Sequence, residues 1–448
     1  MREKKGEEVS ELTRTIILAA AVLCLAAGGA GAETYGLKDL FQRALQQAER
    51  IRIAEENVAL AAAGKDKKRS LLMPRLTAYG NYADFTEKKY APDTKVGAFT
   101  IPGTLIQPDN AAAWGVRLDQ SLTIDGREIR DFLLAKENVD KTRTDLSTQK
   151  EEYLTAVAMA YYDTLRAGKL LDVAEANLRR LEVYRDAALK RLKVGEVTRT
   201  VLLRADGELS GARSERIRAK NALELSRAYL ARLVGIGEGF DLREEMKEDR
   251  PGVPLETYVQ TAMANRTEVA SLELEVKMAG DAVRVAQGGY WPVLSVSGVY
   301  GRADQDPYSG TLNRESVYAQ AALNFPFFEG GLRAAEVREA RIREKQARLR
   351  LEDLKKTVRI EVETAFTELE NQRAVIKALE DQVAFARDNY RDVSRQFEFG
   401  LANGIDVMDA NTLLLSAERQ LTAACYSRQI SIMRLKRATG TLLKEAGL

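Results

Sequence analysis

Histidine is absent from this sequence of 448 residues, and cysteine, with two residues, is nearly absent. Without histidine, catalysis by a Ser-His-Asp or Cys-His arrangement and metal binding through imidazole are excluded. The formal net charge is only +2, which argues against a dedicated nucleic-acid binder, because such proteins usually carry a strong basic excess. Acidic residues are plentiful, but no carboxylate pair lies in a recognisable catalytic context. The sequence therefore offers no recognisable catalytic group, and we expect a protein that is not an enzyme.

A short uncharged segment lies near the amino terminus, at residues 15–32. Its apolar part, residues 16–27, is shorter than the roughly 20 residues that a membrane-spanning helix needs. A short apolar core followed by an Ala-x-Ala site is typical of a secretory signal peptide. We therefore interpret residues 1–32 as a signal peptide. The four basic and four acidic residues before position 15 fit this poorly, and translation from near Val9 is the alternative.

Helix-breaking residues are missing from two long stretches. Residues 332–399 contain neither proline nor glycine, and residues 127–194 contain one glycine and no proline. Because globular helices average about 11–12 residues, these stretches predict two unusually long helices. In the later stretch, apolar residues recur at alternating steps of three and four from Ile376 to Phe397, which is the seam of a coiled coil. A long solvated coiled coil with no further role remains open at this point.

The sequence is an internal duplication. A shift of 218 residues aligns Pro74 with Pro292, and a shift of 205 residues aligns Gly195 with Gly400. The difference between the two shifts indicates a loop of unequal length, since loops tolerate insertions. Two copies of one unit are therefore expected rather than unrelated domains. The predicted parts are a first repeat, a linker and a second repeat: residues 33–235, residues 236–254 and residues 255–448.

Each repeat contains two segments of alternating polarity that predict β-strands. One face of the segment at residues 114–122 carries Trp114, Val116, Leu118 and Leu122, and the other carries Arg117, Asp119 and Ser121. Strands of about ten residues with this alternation suit a transmembrane β-barrel, and an ordinary sheet with one wet face is the alternative. Four strands cannot close a barrel, and open sheet edges are not tolerated in lipid. If the strands lie in a membrane, several protomers must share one barrel.

Short motifs recur in the same order in both halves. They are Pro-x-Leu at residues 74–76 and 292–294, Phe-Pro-Phe-Phe-Glu-Gly-Gly at residues 325–331 with a looser copy at residues 122–126, Val194-Gly195, and Phe399-Gly400-Leu401. With the signal peptide, the duplication and the long helices, they resemble the TolC-like outer membrane efflux protein family, whose members are also called outer membrane factors. The resemblance covers essentially the whole mature chain.

This resemblance implies a fold that is mainly α with a membrane β-barrel portion, built from long coiled-coil helices and four transmembrane strands per protomer. It implies a homotrimer in the outer membrane of a Gram-negative bacterium, extending into the periplasm as a hollow helical barrel. The expected function is a passive exit duct of a tripartite efflux or type I secretion system, and such a duct is expected to use no cofactor or metal. The expected partners are a periplasmic adaptor protein, an inner-membrane pump of the RND or ABC type and outer-membrane lipid, without nucleic acid.

The resemblance also points to residues at the helical tips. Asp406 and Asp409 match the acidic positions that line the family's tunnel entrance, and three copies of each would form rings that favour cations. The alternative is that both are solvated acids near a helix N-terminus, where negative charge is favourable. The turns with Val194, Gly195, Phe399, Gly400 and Leu401 are the expected adaptor contacts.

The chain departs from the family at the entrance itself. Phe397, Ala402 and Val201 occupy positions where polar links often hold that entrance closed, whereas Thr200 keeps its match. Our hypothesis is an entrance held less by ion pairs and more by packing. Arg199 is a candidate partner for Asp406, with simple solvation as the alternative.

Two other classes of protein remain as rivals. A periplasmic adaptor protein would also use a long helical hairpin, but it would carry one hairpin rather than two full repeats with paired strands. A coiled-coil scaffold would need neither the signal peptide nor the strand alternation.

Overall fold

A computed structural model describes residues 33–237, 239–246, 252–310 and 312–447. The predicted signal peptide, residues 1–32, lies outside the described residues, as does part of the predicted linker at residues 236–254.

The described residues are mainly helical. The helices are α1 (Leu37–Gln47), α2 (Glu49–Ser70), α3 (Arg127–Lys193), α4 (Arg199–Val234), α5 (Leu255–Asn265), α6 (Thr267–Gln287), α7 (Leu332–Glu398), α8 (Gly404–Ala438) and α9 (Leu442–Ala446), with a 3₁₀ turn at Gly288–Tyr290. The strands are β1 (Glu33–Tyr35), β2 (Arg75–Asp84), β3 (Lys89–Tyr90), β4 (Thr94–Val96), β5 (Phe99–Ile101), β6 (Leu105–Gln107), β7 (Asn110–Thr123), β8 (Phe240–Leu242), β9 (Val293–Asp306) and β10 (Glu315–Asn324). No described helix combines the length and the apolar character needed to cross a membrane.

The two long helices predicted from the missing helix breakers are confirmed. Both α3 and α7 contain 67 residues, and the helices that follow them, α4 and α8, contain 36 and 35 residues. In α7, the predicted apolar seam is turned inward: Ile376, Val383, Ala386 and Phe397 are buried, and Tyr390 is half-buried. The repeated apolar spacing therefore provides the packing face of this helix.

Four long strands form one antiparallel sheet in the order β10-β9-β7-β2. Its register places Leu76 opposite Leu118, Leu122 opposite Leu294, and Leu294 opposite Leu323. Since paired residues point to the same face of a sheet, the apolar sets predicted for separate strands share one face. The loop between β2 and β7 adds two small two-stranded pairs, β3 with β6 and β4 with β5.

The chain divides into two compact units. Unit 1 contains the described residues up to Ile51, those of Lys150–Ala264 and those from Arg359 onward, and unit 2 contains Arg52–Gln149 and Asn265–Val358. Each unit draws on both halves of the duplicated sequence. The boundaries of the two predicted repeats stay a prediction.

Unit 1 contains a short parallel pair, β1 with β8, followed by a segment fixed by buried tyrosines. The hydroxyls of Tyr161 and Tyr162 donate to backbone carbonyls of Arg243 and Glu245, and Tyr426 donates to the Glu244 carboxylate at 2.7 Å. Burial raises the pKa of Tyr161 to about 12 and also raises the pKa of Tyr162. These hydroxyls therefore stay protonated as donors at physiological pH.

The candidate functional site at the helical tips

Two tight turns join the long helices to the shorter ones. We call residues 194–198, between α3 and α4, tip 1, and residues 399–403, between α7 and α8, tip 2. Both turns contain a glycine in the left-handed region, Gly195 with φ of 80° and Gly400 with φ of 76°. A residue with a Cβ is strained there, so glycine is required at both tips.

The backbone hydrogen bonds of the two turns also match. The Glu196 N–H donates to the Arg191 carbonyl at 2.9 Å, and the Leu401 N–H donates to the Gln396 carbonyl at 2.8 Å. Each bond runs from the residue after the glycine back across the last helical turn, which is the Schellman arrangement of a helix C-terminus. The two tips therefore share one backbone design.

The predicted adaptor-contact residues are exposed at both tips. Val194 is 70% exposed, and Phe399 and Leu401 are each 79% exposed. Large apolar side chains left this open at both tips favour a contact surface. That an adaptor binds them stays a prediction.

Asp406 takes part in a helix cap at tip 2. The Asn403 side chain accepts from the backbone N–H of Ile405 at 2.7 Å and of Asp406 at 3.0 Å, and the Asp406 carboxylate accepts from the Asn403 N–H at 3.0 Å. This reciprocal pattern is a capping box, which satisfies backbone donors at the start of α8. Asp406 thus stabilises the start of α8 within one protomer.

Asp409 lies three residues further along α8 and is exposed, as is Asp406. Residues three apart on a helix are neighbours, so both carboxylates face solvent from adjacent positions. Rings of these carboxylates need further copies of the chain, so the predicted tunnel-entrance ring stays a prediction.

Phe397 lies inside a small apolar core near the tips. It is only 3% exposed, and its ring centroid is 5.3 Å from that of Tyr184. The core draws residues from α3, α4, α7 and α8: Leu181, Tyr184, Ala205, Leu209, Ala212, Phe397, Val407 and Met408, with Ala402 packed against it. Phe397 and Ala402 therefore pack against neighbouring apolar side chains within one protomer. That packing holds the entrance closed stays a prediction.

Arg199 and Thr200, the first two residues of α4, are exposed. Among the residues that the structure describes, Arg199 makes no hydrogen bond or ion pair with Asp406, whose carboxylate is bound by the Asn403 N–H. A pairing of Arg199 with an acid of another copy stays a prediction.

Sequence reasoning missed Arg191, which joins the two tips. Its guanidinium donates to the Phe397 carbonyl at 2.6 Å and to the Glu196 carboxylate at 2.9 Å, and it lies 4.6 Å from the centre of the Phe397 ring. A basic residue in the last turn of a helix is a recognisable signal. The carbonyl that it binds, however, belongs to Phe397 in the other repeat, so the sequence around Arg191 gives no sign of this contact.

A second polar group, also missed, lies further along the same helices. Arg180 donates to Asn411 at 3.0 Å and to Glu418 at 3.1 Å, and Asn411 donates to Asn177 at 2.9 Å. Asn177 and Asn411 are buried. Since buried polar groups specify one arrangement when all are satisfied, this network fixes α8 against α3.

Within the described ranges, no three His, Cys, Asp or Glu side chains come together in a way that could hold a metal ion. The expectation that the protein uses no metal or cofactor therefore still rests on the sequence.

Comparison with known proteins identifies the family. Residues 40–236 and 258–441 match the family model described as "Outer membrane efflux protein". These ranges cover most of the chain, and the chain belongs to the outer membrane efflux protein family. The class predicted from the resemblance, an outer-membrane exit duct that extends into the periplasm, is confirmed.

Two relatives and one solved structure illustrate the similarity. The outer membrane efflux protein BepC of Brucella suis is 25% identical over 393 residues, covering 88% of this chain and 81% of the relative. The outer membrane protein TolC of Escherichia coli is 23% identical over 421 residues, covering 89% and 82%. The crystal structure of the outer membrane protein VceC of Vibrio cholerae superimposes with a TM-score of 0.78 at 17% identity, covering 90% of this chain and 96% of that one. The structural likeness supports the fold.

Proposed function

We propose that three copies of this chain form one outer-membrane exit duct that performs no catalysis. The duct conducts cargo passively when it is docked to a periplasmic adaptor protein and an inner-membrane pump of the RND or ABC type. The observation that carries the proposal is the open four-stranded sheet with one apolar face.

Among the residues that the structure describes, nothing pairs with the two outer edges of the sheet, at β2 and β10. In lipid, their free N–H and C=O groups would lack partners, so the edges must pair with something. Both edge strands contain ten residues, and the alternating directions of the four strands make β2 and β10 antiparallel to each other. The β2 edge of one copy can therefore pair with the β10 edge of the next. Three copies would supply twelve strands, within the range of known barrels.

The apolar face of the sheet supports a membrane location. Leu76 is 69% exposed, Val317 is 77% exposed, and Trp114 and Leu323 are also exposed. Burying such side chains in hydrocarbon is favourable, whereas leaving them in water is costly. The opposite face carries Arg117, Asp119 and Ser121, which suits a water-filled interior.

The long helices also expose apolar side chains that an isolated protomer leaves uncovered. The following residues of α4 and α7 are more than half exposed: Leu203, Ile217, Leu225, Tyr229, Ile342, Leu349 and Phe385. Many exposed large apolar side chains on one pair of helices favour a protein interface. Contacts between copies along these helices would cover it, as a shared helical barrel requires.

Native mass decides between this proposal and its rivals. The full chain is extracted in detergent from the outer-membrane fraction and measured by native mass spectrometry. A trimer in that fraction is expected. A water-soluble monomer or dimer would refute the shared barrel and favour an adaptor or a scaffold.

A further inference from the structure

The two tips are connected within one protomer by side chains of α3. Arg191, whose side chain is 17% exposed, reaches from the end of α3 to the end of α7 and donates to the Phe397 carbonyl. The last carbonyls of a helix lack partners inside the helix, and they carry its negative dipole end. The Phe397 carbonyl also accepts from the Gly400 N–H of the turn at 3.0 Å, so Arg191 is its second donor. A charged donor at this place forms one of the stronger hydrogen bonds in proteins.

Tyr184 makes the second connection, two helical turns before Arg191 and on the same face of α3. Its buried hydroxyl donates to the Gly404 carbonyl at 3.1 Å, at the first residue of α8. A Cβ at position 404 would clash with this hydroxyl, so the glycine permits the approach. Burial raises the pKa of Tyr184, which keeps the hydroxyl protonated as a donor.

Contacts from α3 therefore hold tip 2 at both of its ends. Arg191 binds the last turn of α7 before the tip, and Tyr184 binds the first residue of α8 after it. Between these two contacts lie Phe399 and Leu401, whose side chains are open to solvent. The contacts to α3 fix the backbone and leave the apolar side chains free to meet a partner.

We infer that Arg191, assisted by Tyr184, is a positioning residue that holds tip 2 against α3 and so sets the width of the tunnel entrance. The effect on the entrance rests on the proposed function, whereas the contacts of Arg191 and Tyr184 are independent of it. Phe397 lacks a hydroxyl and Ala402 lacks a charge, so those side chains cannot supply polar links across the tips. Arg191 supplies one instead by using a backbone carbonyl as its acceptor.

The test uses Arg191→Met in the full-length protein, which removes the charge and all the donors and keeps much of the volume. Arg395→Met is the matched control, because Arg395 is an exposed arginine in the last turn of α7 whose side chain forms no hydrogen bond or ion pair among the described residues. Both variants are purified as detergent-extracted trimers. If Arg191→Met does not assemble, Arg191→Lys replaces it, because lysine keeps the positive charge but lacks the planar guanidinium.

Two readouts are compared. Amide hydrogen exchange of residues 399–403 should accelerate about tenfold or more in Arg191→Met, because a hydrogen bond to a charged group is lost. Conductance in planar lipid bilayers should rise several-fold, since a loosened tip widens the entrance. Arg395→Met should match the wild type in both readouts, and Arg191→Lys should lie between.

The outcomes separate the inference from the proposed function. Unchanged exchange at tip 2 would refute the clamp, even if conductance rose. Faster exchange with unchanged conductance would show that Arg191 only stabilises the turn, and would overturn its role at the entrance. If the wild-type protein formed no channel, the proposed function would fail and with it the role at the entrance, while the exchange comparison would still decide whether Arg191 holds the tip.

Discussion

Tip 1 and tip 2 share a backbone and differ in their side chains. Both follow helices of 67 residues and turn on a glycine with positive φ. After that glycine, tip 1 has Glu196, which binds Arg191, and tip 2 has Leu401, which is open to solvent. The duplication thus preserved the geometry that a turn needs, while the two copies took different tasks. At this position, tip 1 adds an ion pair with Arg191, and tip 2 presents an apolar side chain.

Replacing the tip glycines should give the largest loss of export, and the loss should be the same for either tip. Gly195→Val and Gly400→Val each force a β-branched residue into the left-handed region, at about 1–2 kcal/mol or more. We expect each variant to abolish export from cells in which it is the only copy, measured with a dye that the wild-type chain is first shown to export. Trimers should persist by native mass spectrometry. Loss of trimers would mean that the turns serve structure alone, and unequal effects would contradict a shared backbone design.

The acids at the start of α8, just after tip 2, should set ion selectivity, and the acid of tip 1 should not. The positions of the first repeat that correspond to Asp406 and Asp409 are Val201 and Arg204, which carry no negative charge. Asp406→Asn combined with Asp409→Asn keeps oxygen acceptors but removes the charges, so preference for cations in a planar bilayer should fall. Glu196→Gln, which removes a carboxylate from tip 1, is the control and should leave selectivity unchanged. Unaltered selectivity in the double variant would rule out the acidic rings.

The helix caps that follow the two tips should differ in strength. Asn403 forms a capping box at α8, whereas Thr198 makes no side-chain cap hydrogen bond at α4. Asn403→Ala should therefore lower the stability of the start of α8 by about 1 kcal/mol. Thr198→Ala should lower the stability of the start of α4 by only a few tenths of a kcal/mol. Amide exchange in the first turn of each helix measures the two costs locally. Equal costs would show that the caps do not distinguish the tips.

The smallest effect is expected from the ion pair within tip 1. The Glu196 carboxylate is 56% exposed, and exposed ion pairs contribute about 0.2–1 kcal/mol in solution. Glu196→Gln should slow or speed amide exchange at tip 1 by no more than a few-fold. It should leave tip 2 unchanged, because the bond from Arg191 to the Phe397 carbonyl remains. A large response at tip 2 would show that Glu196 is needed to orient Arg191.

Much of the fold could be predicted because it depends on patterns within single segments. Missing helix breakers located α3 and α7, and alternation of polarity located the strands of the sheet. The duplication and the short motifs then identified the family. The turn glycines were also predictable, since few other residues adopt a positive φ. The capping box could have been found from the spacing of Asn403 and Asp406, which is its usual signature.

The contacts between repeats could not be predicted in this way. Arg191 and Phe397 are 206 residues apart, and nothing in either local sequence specifies the other. The acceptor is a backbone carbonyl, which every residue carries, so no residue type marks it. The network of Arg180, Asn411 and Glu418 was missed because its members also lie in different repeats, more than 200 residues apart. The acidic ring remains open for a different reason, because it depends on neighbouring copies.

The two unpaired edges of the sheet have a genetic consequence. If each ring needs three sound pairs of edges, one protomer with a proline in the middle of β2 would spoil the ring that it joins. In a cell that makes normal and defective copies equally, only about one ring in eight would contain normal copies alone. Such alleles should therefore be dominant, whereas alleles that prevent synthesis of the chain should be recessive.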